Sequence, residues 1–172
     1  MHPQRALRSL IILIVLGTTV GCDQVSKHIV RERIGDNEKI SLIKDHLTLT
    51  KVENKGAFLS LGNTLPDSLK KILLTFFPVF FLTLLLVYAF TKRTMSTVSL
   101  LGICLVVGGG IGNIYDRVVY GSVTDFLHAD FVVFQTGIFN IADMAIMGGI
   151  FMVITDYYLR RIIVSFHRGD KA

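Results

Sequence analysis

The chain has 172 residues, of which 51% are apolar and only 18% charged, and its mean hydropathy is +0.57. A soluble domain carries nearer a quarter charged residues, so a disordered chain or a nucleic-acid tail is excluded and a chain solvated largely by lipid is expected, with a modest net charge of +5 that membrane orientation and acidic partners explain equally well. Two cysteines in apolar runs, Cys22 and Cys104, build neither a disulfide framework nor a zinc site, and no His-Glu-x-x-His pair exists among the five histidines.

A helix needs roughly 20 apolar residues to cross the hydrocarbon core, and four segments come close. The first expected span covers residues 7–25. Arg5 and Arg8, an apolar run over 10–16 and Thr19-Val20-Gly21-Cys22 also allow a second reading, a signal peptide cut before Cys22. Residues 26–71 form a long loop in which 47–52 alternate with period two and predict a strand. Thr64-Leu65-Pro66-Asp67 reads as a turn, with Asp67 as the cap of the next helix. The second span, 72–90, is nearly unbroken Leu, Phe and Val, with Pro78 inside it tolerated because neighbouring helices shelter the freed carbonyl. The third span, 98–115, carries Gly108 and Gly112 at helical spacing. Loop 116–137 follows, with a second alternating strand at 123–128. The fourth span, 138–158, carries Ala145 and Gly149. Small residues so spaced let helix backbones approach closely in lipid.

The expected fold is therefore a membrane α-helical domain over 1–172, with four transmembrane helices and a small extracytoplasmic β-sheet at their outer ends. Residues 1–8, 91–95 and 159–172 are denser in Lys and Arg than the two long loops, which places both termini in the cytoplasm and loops 26–71 and 116–137 outside.

Charged and amide side chains at membrane depth are costly and need a partner or a task. Asp23, Asn113, Asp116, Asn140 and Asp143 all fall at the outer ends of expected spans, and Asp125 falls on the expected strand between the third and fourth. Asn113 and Asp116, like Asn140 and Asp143, are three apart and share a helix face. Two carboxyls about 3 Å apart cannot both ionise and share a proton. The ionised one takes a proton from an attacking water, and the protonated one donates to a peptide carbonyl. The residues alone leave other readings open. Asp116 with Arg117, and Asp23 with Lys27, are candidates for simple ion pairs, and Asn113 and Asn140 for hydrogen bonds between helices. Proton-coupled transport through buried carboxylates is the rival function. Ser60, Ser68 and Ser122 lack a nucleophile-elbow pattern, and Gly108-Gly109-Gly110-Ile111-Gly112 is not followed by the Lys-Ser or Lys-Thr of a phosphate loop.

Five motifs then carry a resemblance: Asp23-Gln24-Val25-Ser26-Lys27; Asn54-Lys55-Gly56-Ala57; the run from Gly109 to Arg117; Gly121-Ser122-Val123-Thr124-Asp125-Phe126; and Phe139-Asn140-Ile141-Ala142-Asp143. In their order and spacing the chain resembles the bacterial lipoprotein signal peptidases, signal peptidase II. The resemblance implies a membrane aspartic endopeptidase, multi-pass in the plasma (inner) membrane, with its site facing outward. It would cleave diacylglyceryl-modified prolipoproteins just before the lipidated cysteine. It also implies that Asp125 and Asp143 are the catalytic dyad. Asn54, Gly56, Asn113, Arg117 and Asn140 match positions lining the site, and Asp23, Lys27, Asp116 and Ala142 join them as substrate-binding or site-supporting residues. No metal or organic cofactor is expected. The expected partners are prolipoprotein substrates and membrane lipid, without nucleic acid, for a protein acting as a monomer. One departure stands out: the family usually reads Asn-x-Gly-Ala-Ala-Phe, where this chain has Asn54-Lys55-Gly56-Ala57-Phe58-Leu59, a larger side chain at Phe58.

Overall fold

The computed structural model describes residues 3–36, 38–44, 46–56, 66–131 and 134–169, so Thr64, Leu65 and the Phe58 departure lie outside the described residues. The elements follow the chain as α1 (Pro3–Arg33), β1 (Lys39–Ile43), β2 (Leu47–Asn54), α2 (Asp67–Lys71), a π-helical turn (Ile72–Phe76), α3 (Phe77–Thr91), α4 (Thr97–Val119), β3 (Val123–Phe131), β4 (Phe134–Phe139) and α5 (Ile141–Gly169). Among the described residues four helical stretches are long and apolar enough to cross a membrane: Arg5–Arg33, Ser68–Thr91, Thr97–Val119 and Ile141–Ile163. The strands form one antiparallel sheet in the order β1-β2-β3-β4. This is the expected class of fold.

Helix α4 is the most buried of the four and packs against α1, α3 and α5. Ile12 of α1, Ala89 of α3 and Leu100, Ile103, Cys104 and Val107 of α4 make the bundle core. Large side chains such as Phe76, Phe80 and Phe151 point outward, where lipid rather than water is the solvent. At the end of the bundle away from the sheet, Arg8 donates to the Ala89 carbonyl (3.1 and 2.7 Å) and to that of Lys92 (2.9 Å), tying α1 to the last carbonyls of α3.

The bounds differ from the sequence expectations for identifiable reasons. Helix α1 runs eight residues past Val25, because one face of its charged second half packs against α4 and the sheet. Val30 and Ile34 bury against Phe126 of β3. The fourth helix begins at Ile141, not Ile138, because Ile138 and Phe139 belong to β4 and pair with His128 and Leu127. Strands β1 and β4 join the two expected ones. The cap of α2 is Pro66 rather than Asp67, which is already helical. Pro78 has no N–H to give and its ring crowds the carbonyl four residues back; the backbone widens into the π-helical turn just before it, which absorbs the clash.

The glycines divide the helix contacts. Gly108 and Gly112 face α1, at Thr19 and Asp23, whereas α5 meets α4 at Gly102 and Gly109. A Cβ on Gly102 would stand 2.7 Å from the Gly149 carbonyl oxygen, and one on Gly149 would overlap the Gly102 carbonyl oxygen. Backbone cannot yield as a side chain can. Gly149→Ala is therefore expected to part α4 from α5 and to cost about 1–3 kcal/mol, read as a lower unfolding temperature in detergent. Gly148→Ala, whose added carbon meets nothing within 4 Å, serves as the neutral control; equal behaviour of the two variants would refute the close contact.

Candidate active site

Three layers of polar side chains meet where the sheet joins the helices. The deepest comes from α1. Asp23, Lys27 and Arg31 are four apart and share one helix face. Lys27 is fully buried, with its Nζ 2.8 Å from Asp23 Oδ2, 2.9 Å from Asp116 Oδ2 and 2.9 Å from Asn113 Oδ1. Arg31 pairs with the other oxygen of Asp116 at 2.9 Å and lies 3.9 Å over the Tyr120 ring. The Asp23–Lys27 pair exists, then, but in the interior rather than on an exposed helix end. Asp116 pairs with Lys27 and Arg31 across the bundle. Its neighbour Arg117 turns elsewhere, donating to the carbonyls of Gly56 (2.9 Å) and Asn113 (3.2 Å).

The second layer is the start of α5. Asn140 stands immediately before the helix; its Oδ1 accepts from the Asp143 N–H at 2.9 Å, while the Asp143 Oδ2 accepts from the Asn140 N–H at 3.3 Å. This reciprocal cap satisfies two of the helix's orphan donors and holds the Asp143 carboxylate over the positive end of the helix dipole. A third donor, the Ala142 N–H, reaches Asp23 Oδ1 at 3.0 Å. The part played by Ala142 is thus a backbone one, and α1 supplies the cap for α5.

The third layer comes from the sheet. The register between β2 and β3 slips between Leu49 and Val52, opposite the stretch that holds Asp125. Such bulges re-aim a side chain. Along β3, Thr124 faces Arg31 of α1, and Phe126 faces Val30 of α1 and Ile34 just beyond it. Asp125, on the opposite face, is 3% exposed and meets Asn54 and Asn140. The Asn54 Oδ1 accepts the Gly56 N–H at 2.8 Å, which turns its amide so that Nδ2 donates to Asp125 Oδ2 at 2.9 Å. Gly121, at φ 75°, reverses the chain from the end of α4 into β3.

Asp125 and Asp143 meet at Asn140. Its Nδ2 donates to Asp125 Oδ1 at 2.6 Å, the same residue binds Asp143 twice, and its amide also touches Asn113 Oδ1 at 3.2 Å. Asn113 Nδ2 in turn donates to Asp143 Oδ1 at 2.8 Å. Each carboxylate is therefore held between two asparagines, and the amides of Asn113 and Asn140 bridge α4 and α5. Beside Asp143 a cavity of about 430 Å³ opens between apolar walls from Leu74, Pro78, Ile114, Ile146 and Met147, with Asn113 and Arg117 at its polar side. Among the described residues no group of three His, Cys, Asp or Glu side chains gathers to hold a metal ion.

Burial raises the Asp125 pKa from the usual 3.8 to about 6; the Asn54 and Asn140 hydrogen bonds oppose that rise and the nearby Asp143 charge adds to it. Because the folded value lies above the unfolded one, the native protein binds the extra proton between those two pH values. Stability from this group is full below about pH 3.8 and is lost as pH climbs through about 6. Relative to Asp125→Asn, the wild type is expected to lose about 3 kcal/mol over that window, measured as unfolding temperature against pH in detergent. Adding Asn54→Leu to the wild-type background should move the midpoint upward, since it removes a donor to the charged form. Parallel curves for wild type and Asp125→Asn would refute the assignment.

All eleven residues singled out from the sequence sit in this one assembly. Sequence reasoning missed Gln24 as a site residue, although its Nε2 donates to Asp23, Asp116 and the Gly112 carbonyl, each at 3.1 Å. It also missed Arg31, Glu53 and Thr124, where Arg31 donates to Thr124 and Thr124 to Glu53, both at 2.8 Å. The signal for Arg31 was its spacing of four from Lys27, hidden by ending the first span at Val25.

A family model described as signal peptidase (SPase) II matches residues 13–159. Lipoprotein signal peptidase of Halothermothrix orenii is 33% identical over 143 residues, covering 83% of this chain and 92% of that one. The enzyme of the same name from Pelodictyon phaeoclathratiforme is 36% identical over 141 residues, covering 77% and 80%. Among solved structures, a bacterial membrane enzyme determined by the in meso method at 1.9 Å superposes with a TM-score of 0.75 at 26% identity, over 86% of this chain and 92% of that one. A second, at 2.3 Å resolution, has a TM-score of 0.77 at 24% identity, over 86% and 87%, and shares the fold. With four apolar helices, a polar assembly at their sheet end and matches over most of its length, the chain belongs to the signal peptidase II family of peptidases.

Proposed function

We propose that this protein is an aspartic endopeptidase that removes the signal peptide from diacylglyceryl-modified prolipoproteins, cutting just before the lipidated cysteine. The observation that carries the reading is the pair Asp125 and Asp143, joined through one asparagine and opening on an apolar cavity. One carboxylate, ionised, accepts a proton from the water that attacks the scissile carbonyl; the other, protonated, donates to the carbonyl oxygen as the tetrahedral intermediate forms. The two titrate as a unit. As the intermediate collapses, the carboxyl that took the proton from water gives it to the leaving nitrogen, and the other, now ionised, takes back the hydroxyl proton as the C–N bond breaks and the carbonyl re-forms, so the pair again holds one proton. Asn54, Asn113 and Asn140 hold the carboxyls in place, and Arg117 and Gly56 line the approach.

The substrate class follows from where this chemistry lies. A diacylglyceryl group holds the cysteine at the membrane interface while the signal helix lies across the bilayer, so the scissile bond reaches the depth of the aspartates. Lipid anchoring confines the search to two dimensions and supplies much of the positioning. We read the chain as one peptidase domain acting as a monomer. The sheet end faces outward and both termini lie in the cytoplasm, following the density of Lys and Arg. Transport is the poorer reading. A proton path needs polar groups through the bilayer depth, and the described acid at the opposite end, Asp156, is bound by Ser96 (2.5 Å), Ser99 (2.7 Å) and Arg160.

The deciding experiment is a gel-shift assay with purified protein and a prolipoprotein substrate. Wild type is expected to shorten the lipidated substrate and to leave the same protein intact when its cysteine carries no diacylglyceryl group. Failure to cleave, or cleavage indifferent to the lipid, would refute the reading.

A further inference from the structure

A second cavity, of about 350 Å³, adjoins the first and shares Leu74 and Arg117 with it. Its walls carry four cations, Lys55, Lys70, Lys71 and Arg117, and no carboxylate among the described lining residues. Two observations set its depth. Lys70 and Lys71 lie in the first turn of the stretch Ser68–Thr91, which is long and apolar enough to cross a membrane. The next turns expose Ile72, Leu73, Phe76 and Phe77 outward, toward lipid. Cations thus ring the cavity at headgroup level, and an apolar face runs from it into the bilayer. The Arg117 Nε is buried and has no hydrogen-bond partner among the described residues, although its other nitrogens reach the Gly56 and Asn113 carbonyls.

We propose that this basic cavity binds the phosphate headgroup of an anionic phospholipid on the sheet side of the membrane. The phosphate lies among Lys55, Lys70 and Lys71, and the acyl chains run down the outward face of the helix past Leu73, Phe76 and Phe77. Clustered Lys and Arg at the interface attract anionic headgroups additively, each cation strengthening the attraction several-fold at low salt. A bound lipid would form one wall of the passage to Asp143, because Arg117 and Leu74 belong to both cavities. This site goes beyond the peptidase reading and does not depend on it, since the test below reads lipid retention and not cleavage.

The test is native mass spectrometry of the detergent-solubilised full chain with phosphatidylglycerol or phosphatidylcholine at equal concentrations. Wild type should retain phosphatidylglycerol at least about tenfold better than phosphatidylcholine. Lys55→Gln with Lys70→Gln and Lys71→Gln should lose that preference, whereas Lys55→Arg with Lys70→Arg and Lys71→Arg should keep it. The control, Lys39→Gln with Lys44→Gln, removes charge elsewhere in the sheet region and should behave as wild type. None of these side chains is in the bundle core, and the comparison of the two lipids on wild type needs no variant. Equal retention of both lipids by wild type, or an undiminished preference in the triple Gln variant, would overturn the proposal. Displacement of the lipid by an equal concentration of glycerol 3-phosphate would overturn the lipid assignment and mark the cavity as a soluble-phosphate site.

Discussion

Asp125→Asn and Asp143→Asn are each expected to reduce processing of a lipidated prolipoprotein by about 10³-fold or more while the protein still accumulates in the membrane. The change from carboxyl to amide keeps the shape and removes the titratable proton. It does not leave the surroundings untouched. Both oxygens of Asp125 accept from asparagine amides, Asn140 at 2.6 Å and Asn54 at 2.9 Å, so an amide at 125 must aim its own NH₂ at one of those donors. The same holds at 143, where Asn113 Nδ2 donates at 2.8 Å and cannot turn over, because its Oδ1 is held by Lys27 at 2.9 Å. A local cost of about 1–3 kcal/mol is expected from the mismatched donors, visible as a lower unfolding temperature, which is far too small to account for lost activity in a folded protein. Groups acting as a unit are not additive, so the double variant should be little worse than either single one. Asp156→Asn, at the other end of the bundle, should process normally. A single dyad variant working within tenfold of wild type would overturn the assignment.

Lys27→Met is expected to be the most destabilising single change in the protein outside the bundle core. Lys27, Asp23 and Asp116 are all fully buried, and removing one partner from a buried ion network costs about 3–5 kcal/mol because the remaining charge is stranded. The two carboxylates are not equally affected. Asp116 keeps Arg31 at 2.9 Å, whereas Lys27 is the cation within ion-pair distance of Asp23 among the described residues. Adding Asp23→Asn to Lys27→Met should therefore recover most of the loss, and adding Asp116→Asn should recover little. Thermal unfolding in detergent measures both double variants, and equal recovery by the two would refute the account. Activity should remain impaired even where stability returns, because Lys27 also holds Asn113 Oδ1, and Asn113 holds Asp143.

Much of this assembly is visible in the primary sequence because lipid makes polar residues conspicuous. Asp23, Asn113, Asp116, Asn140 and Asp143 stand out only because the residues around them are Leu, Ile, Val and Gly, and their common position at one end of the spans is a matter of counting along apolar runs. The elements that were hard to read are the short ones. Strand β1, Lys39–Ile43, is exposed throughout, so burial imposes no alternation on it, and β4 abuts the fourth apolar run and merges with it by composition. The extension of α1 to Arg33 was hidden for the opposite reason. Its charges suggest water, and only packing against α4 and β3 draws Lys27 and Arg31 inside, while His28 and Glu32 stay exposed.

Composition and hydropathy along the chain determined the number of spans, the two central strands and the level at which the acids lie, since these depend on local apolar length and period alone. What only the tertiary structure decided is which polar groups touch. Asp23 caps a helix that begins 118 residues later, Asp116 pairs across the bundle and not with its neighbour Arg117, and Asp125 reaches Asn140 because a bulge between β2 and β3 and a reversal at Gly121 aim the strand there. Those contacts join segments far apart in sequence, and no local preference for helix or strand encodes the distance between them.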